Sequence, residues 1–248
     1  MCKIITNNPY KLIKHHKIKD LSLLFIILLF DIGAYIYFGG SNFIIRLSGS
    51  KSEGEIIYKL KYLDNNDITT LLPTEMTIKF KHNNMHQKVV GWSNIFSLES
   101  IRNVKEGNCA ALFKVLGKKY VAVINNLNQV IFGYDPYKGM LLQETNETKQ
   151  IAGFNCKKVK VIFPEEPGKN FDIYYTNDIK IDKPNWANPF YNINGVLMEY
   201  QINMFGIRTK IVADSVAFIQ VDDSEFEIPV DYQKISKEEL EEEINKLL

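Results

Sequence analysis

Histidine and cysteine, the side chains that most often carry metal or nucleophilic chemistry, are scarce in this chain: four and three in 248 residues. His15, His16 and Cys2 sit in a lysine-bearing N-terminal stretch, leaving His82, His86, Cys109 and Cys156 for the rest. Three cysteines are too few for a disulfide-stapled fold, and none belongs to a C-x-x-C pair. The sequence has no Walker loop, no G-x-G-x-x-G, no G-x-S-x-G and no H-E-x-x-H, so the usual nucleotide, hydrolase and metalloprotease signatures are missing. An excess of charge is missing too, with Lys+Arg 30 against Asp+Glu 29. A nucleic-acid partner would call for a basic face, so none is expected. No βαβ alternation and no internal repeat is seen, which argues against a parallel sheet or a solenoid.

A long apolar run is present. Leu21–Phe38 (LSLLFIILLFDIGAYIYF) is interrupted only by Ser22 and Asp31. At about 1.5 Å per residue it would span roughly 27 Å as a helix, close to the hydrocarbon thickness of a bilayer. Lys3, Lys11, Lys14, Lys17 and Lys19 precede it, which keeps that end in the cytoplasm by the positive-inside rule. The expected organisation is a basic cytoplasmic tail at 1–20, a transmembrane anchor or uncleaved signal at 21–40, and an exported domain at 41–248. A second reading is a long cleaved signal peptide with Leu21–Phe30 as its apolar core, although no A-x-A site follows. Asp31 is a costly residue within a span. Cys2 precedes the apolar run, so it is not a lipoprotein cysteine.

The exported part reads as strands. Hydrophobic content of 46% and aromatic content of 12% describe a folding chain. Ile56, Tyr58, Leu60 and Tyr62 alternate with Ile57, Lys59 and Lys61; Met76, Ile78 and Phe80 alternate with Thr77, Lys79 and Lys81. Period two describes strands with one buried face. Turn chemistry separates them at 64–67, 82–84, 117–119, 125–128 and 135–137. Further strands are expected at 109–116, 120–124, 129–134, 140–145, 156–163, 171–176, 196–203 and 208–216. A bulge near Lys157-Lys158 would explain the broken alternation of Cys156, Val159 and Val161. At the C-terminus, Ser236 and Glu239 form a capping box ahead of Leu240, Ile244, Leu247 and Leu248. The expected fold is mainly β: a single curved antiparallel sheet, an open half-barrel or meander, with a C-terminal helix packed at its edge.

Chemistry is thin in this reading. His82 and His86 would share a helix face suited to zinc, but Asn83-Asn84 makes the segment a turn, with both rings in solvent. No metal ligand, catalytic residue or cofactor is expected. Cys109 and Cys156 can form a disulfide in an oxidising compartment or stand as buried small side chains. Asn146-Glu147-Thr148 matches a glycosylation sequon. Large aromatics are the remaining candidates. Trp92 and Phe96, with Trp186, Phe190 and Tyr191 from the loop 183–195, are able to line an apolar ligand site or to fill the core.

The stretch ETKQIAGFNCKKVKVIF (147–163) resembles segments of exported Bacteroidota envelope families such as the GLPGLI group. So do Y174-YTNDI179, P184-N185, N188-P189-F190, G195-VLMEY200, F226-EIP229 and D231-Y232. The resemblance implies a cell-envelope protein of unassigned activity, with a LolA-like lipoprotein-carrier architecture: an open antiparallel half-barrel curled around helices. Relatives commonly carry a simple cleaved signal, from which this basic tail departs. The expected function is therefore a membrane-tethered envelope binding protein for a lipid or lipoprotein. The alternative is an envelope interaction or sensing module without a small ligand.

Overall fold

A computed structural model describes residues 51–64, 69–125, 137 and 139–246. The chain divides into two compact units, Met1–Phe43 and Ile44–Leu248, and every described residue belongs to the second. The expected span Leu21–Phe38 and the expected strand at 129–134 lie outside the described residues. Among the described residues no helix is long and apolar enough to cross a membrane.

Strand β1 (Glu53–Tyr62) shows how alternation becomes a sheet. Ile56 and Tyr58 are fully buried while Lys59 and Lys61 face water. The same period builds β2 (Glu75–Lys81); β3 (Asn84–Gly91) and β6 (Lys118–Ile124) follow it less strictly, and β4 (Phe96–Asn103) and β5 (Asn108–Val115) are buried on both faces. Alternation returns in β8 (Phe154–Ile162), β9 (Phe171–Thr176) and β11 (Ile207–Ala217), while β7 (Leu141–Ile151) is exposed almost throughout and β10 (Val196–Met204) is buried on both faces over its first half. A two-residue β12 (Gln233–Lys234) and helix α1 (Lys237–Asn245) end the described chain. Together the strands form one open sheet in the order β12-β6-β5-β4-β3-β2-β1-β11-β10-β9-β8-β7. Neighbours are antiparallel except β12, which lies parallel to β6, so the sheet is mixed at one edge rather than antiparallel throughout.

Two local meanders, β1–β6 and β7–β11, meet where β1 pairs with β11. Four of the connections are two-residue turns with both central residues at positive φ: His82-Asn83, Leu116-Gly117, Ala152-Gly153 and Phe205-Gly206. Turns of this hand match the twist of the flanking strands. The expected irregularity beside Lys158 is present, but on the partner strand. Glu144 pairs with Val159 and Thr148 with Lys157, leaving Thr145, Asn146 and Glu147 opposite Lys158. Lys158 is 9% exposed, with Glu147 and Asp172 carboxylates each 3.0 Å from its ammonium.

One face of the sheet builds the main core, which unites residues as far apart in the strand order as Phe113 of β5 and Val159 of β8. Leu240 and Ile244 of α1 join it, and the predicted capping box is formed by Ser236 and Glu239. Leu247 and Leu248 lie outside the described residues. The opposite face carries a smaller cluster. Ile101, Ala110, Leu112 and Val121 pack there beneath Val221 and Phe226 of the segment that follows β11.

The junction of the meanders depends on close approach at Gly54. A Cβ on Gly54 would lie 2.3 Å from the Ala217 carbonyl oxygen. Gly54→Ala is expected to destabilise the protein by about 1–3 kcal/mol, since backbone must move to admit the methyl group. Thermal unfolding would fall by about 2–4 °C per kcal/mol. Gly168→Ala meets open space and serves as the control; equal melting temperatures for the two variants would contradict this account.

Candidate functional site

Between β2–β4 and β10–β11 the core leaves an apolar cleft of about 100 Å³. Met76, Val89, Phe96 and Leu98 form one wall, Ile202 and Ile211 the other, and Ile244 of α1 borders it. Gln87 and Thr209 supply polar atoms to the lining. The volume is smaller than the roughly 150 Å³ cavity that accepts benzene in an engineered core. It suits a short apolar group or the end of one chain rather than a whole lipid.

The five aromatics predicted to line a site are divided by the fold. Phe96 lines the cleft, and Trp92 stands 5.2 Å from it, ring to ring, at 37% exposure. Trp186 and Phe190 are core residues. Phe190 packs edge-on against Tyr137, Phe171 and Tyr200, the last at the middle of β10. Their loop is pinned by buried Asn185, whose amide donates to the Ile193 and Gly195 carbonyls at 2.7 and 3.0 Å. Tyr191 points outward at 62% exposure.

The two histidines are not neighbours in any site. His82 occupies the β2–β3 turn and is exposed, as expected. His86 is 8% exposed, because the turn ends at Asn83 and β3 begins at Asn84. On that strand it meets Glu99 of β4, with Nε2 2.8 Å from Oε2. Glu225, on the segment crossing this face, approaches the other ring nitrogen at 3.5 Å and accepts from Lys79 at 2.5 Å. Lys88 lies 3.4 Å from Glu99. Burial pushes the Glu99 carboxyl up, but the His86 hydrogen bond and the Lys88 charge outweigh it and hold the group at about 2. Spacing in the sequence does not reveal this cluster, since only the β3–β4 register places His86 beside Glu99.

Cys109 in β5 and Cys156 in β8 are both buried and both free thiols. Burial pushes each up to about 11. The neighbouring Arg102, 4% exposed, donates to the Asp182 carbonyl at 2.7 Å. Among the described residues no group of three or more His, Cys, Asp or Glu is placed to hold a metal ion.

The outer face of β7–β11 carries a polar recess. Lys149 of β7 passes over the Tyr174 ring to reach Glu199 of β10 at 2.5 Å, and Lys210 meets the same carboxylate at 2.7 Å. Burial raises the Glu199 carboxyl, yet these two ammonium groups leave it below the ordinary range. Glu199 is thus held between two ammonium groups, with Lys160 and Asp172 also in the lining.

No family model and no curated protein match the chain. Among solved structures, that of PNGF-II is similar over 79% of this chain and 33% of that one, with a TM-score of 0.50 and 16% identity. This likeness shows the fold alone. The chain spans about one third of the length of PNGF-II.

Glu99 has a folded value below its unfolded one, so its stabilisation is complete above about 4.5 and is lost as pH falls towards about 2. Denaturant unfolding should show stability declining across that window, with a shallower decline in Glu99→Gln; parallel declines would refute the assignment. The thiols make a second test. In a Cys2→Ser chain without reductant, neither Cys109 nor Cys156 should react with a disulfide reagent at pH 8 until denaturant is added, when both should. A chain with no reactive thiol after unfolding would instead be bridged.

Proposed function

We propose that this chain is a membrane-tethered cell-envelope binding protein that takes a lipophilic group in the cleft between β2–β4 and β10–β11. The observation that carries the reading is the apolar wall of that cleft, built from side chains of the main core. In this reading the sheet curls as an open half-barrel, with α1 lying against its inner face. One core cluster shared by strands near opposite ends of the order is consistent with that curvature. The apolar run at 21–38 supports the tether, and the resemblance of 147–163 to exported envelope families supports the compartment. That segment forms the β7–β8 hairpin, whose part is to hold the sheet.

Size sets the ligand class. A cleft of about 100 Å³ takes the end of a single acyl chain or a similar short apolar group. Deeper entry would require α1 to yield, and among the described residues its buried anchors are Leu240 and Ile244. Titration of the full chain in mild detergent with cis-parinaric acid, a fluorescent fatty acid, tests the proposal. Binding is expected, and Leu98→Trp, which fills the cleft, should weaken it at least about tenfold. Equal affinity in a folded Leu98→Trp chain would exclude the cleft.

A further inference from the structure

Four large apolar side chains stand out at one end of the sheet: Leu71 is 65% exposed, Trp92 37%, Ile95 45% and Leu116 77%. They belong to three connections: the one leading into β2, the β3–β4 turn and the β5–β6 turn. Hydrogen bonds join these into one surface. Trp92 Nε1 donates to the Leu71 carbonyl at 2.8 Å, and the Leu116 amide donates to the Ile95 carbonyl at 3.2 Å. Lys114 Nζ donates to Asn94 Oδ1 at 3.1 Å.

The indole is displayed at a conformational cost. Trp92, Ser93 and Asn94 lie at φ 53°, 52° and 68°. Left-handed backbone is unfavourable for non-glycine residues, and three in succession persist only where the surroundings impose them. Gly91 permits the close approach of Pro73, since a Cβ there would lie 2.5 Å from the proline ring. The surface also adjoins the cleft, which Leu72, Pro73 and Phe96 help to line.

On its β5–β6 side this rim is basic, while Asp64 of the β1–β2 connection is paired with Arg208, and Glu75 at the start of β2 with Lys59. From Asn108 to Ile124 the β5–β6 hairpin contains Lys114, Lys118 and Lys119 and no acidic residue. Lys118 is exposed beside Leu116. Lys119 pairs with Asp231, and Glu243 of α1 lies near Lys118. Aliphatic tips, an indole with its N–H satisfied and flanking ammonium groups are the chemistry that partitions into the interface of an anionic bilayer. A water-facing set of hairpin tips has no need of four such side chains.

We propose that the rim of Leu71, Trp92, Ile95 and Leu116 docks on the surface of an anionic lipid bilayer. The mouth of the cleft then opens against lipid. This docking goes beyond the binding reading and stands or falls separately from occupancy of the cleft.

Tryptophan provides the test, because the chain has only Trp92 and the buried Trp186. A full-length Trp186→Phe chain is placed with phosphatidylcholine–phosphatidylglycerol vesicles whose acyl chains are brominated near the headgroup. Trp92 emission is expected to shift to the blue and to fall by at least about half relative to bromine-free vesicles. Leu116→Asp with Ile95→Asp should abolish the loss. Lys118→Gln should weaken docking about fivefold. If Trp186→Phe fails to fold, the difference between the unmodified chain and Trp92→Phe reads the same signal. Emission indifferent to bromine overturns the proposal, as does quenching that survives the double aspartate change. Self-association through the rim, seen in sedimentation and lost in the double variant without any quenching, assigns the surface to a second copy and overturns it too.

Discussion

The pairing of β1 with β11 joins two halves that are each assembled locally. Within β1–β6 and β7–β11, neighbours in sequence are neighbours in the sheet, and several are closed by two-residue turns. Bringing Glu55 opposite Ala217 closes a loop of most of the domain, and loop closure on that scale costs chain entropy before any contact forms. Side chains at the seam offset this. Ile56 and Tyr58 are buried, Tyr58 donates to the Leu197 carbonyl at 2.9 Å, and Ile211, Ala213 and Val216 oppose them in the core. A bulge at Asp214 and the missing side chain of Gly54 let the strands meet. The cleft follows from this seam, because its two walls come from different meanders.

Both faces of the sheet are used, by different means. The inner face carries the main apolar core, with the cleft along it. The outer face over β3–β6 is covered by the segment after β11, and there burial extends to charge: Glu99 and His86 sit under that segment, Glu225 reaches down from it, and Lys79 and Lys88 stand beside them. Buried carboxylates are costly unless paired and hydrogen-bonded. These have partners, which ties the covering segment to the sheet by geometry that apolar packing alone would not impose. The polar recess over β7–β11 repeats the pattern with Glu199 between two lysines.

Much of the architecture was legible in residue order. Alternation in 56–62 and 76–81 marked β1 and β2, Asn83 and Gly117 marked two turns, and Ser236 with Glu239 marked the start of α1. Phe205-Gly206 escaped notice as a turn, since a phenylalanine in the left-handed region breaks the usual composition. The site was less legible. Five aromatics suggested one lining, but Trp186 and Phe190 belong to core, Tyr191 to the surface, and Phe96 alone lines the cleft. Large apolar residues inside turns, such as Leu116 in VLGKK, were a readable sign of the rim that period-two counting passes over.

The sequence by itself determined the strands, the hairpins and the helix cap, because each depends on residues a few positions apart: alternation selects a face, and turn residues select a hand. Tertiary structure alone decided which strands close the seam, that His86 meets Glu99, that Cys109 and Cys156 remain free, and where the apolar walls stop short of contact. Those outcomes depend on register and packing between distant segments, and the residue types of a strand select a buried face without encoding which distant partner that strand receives.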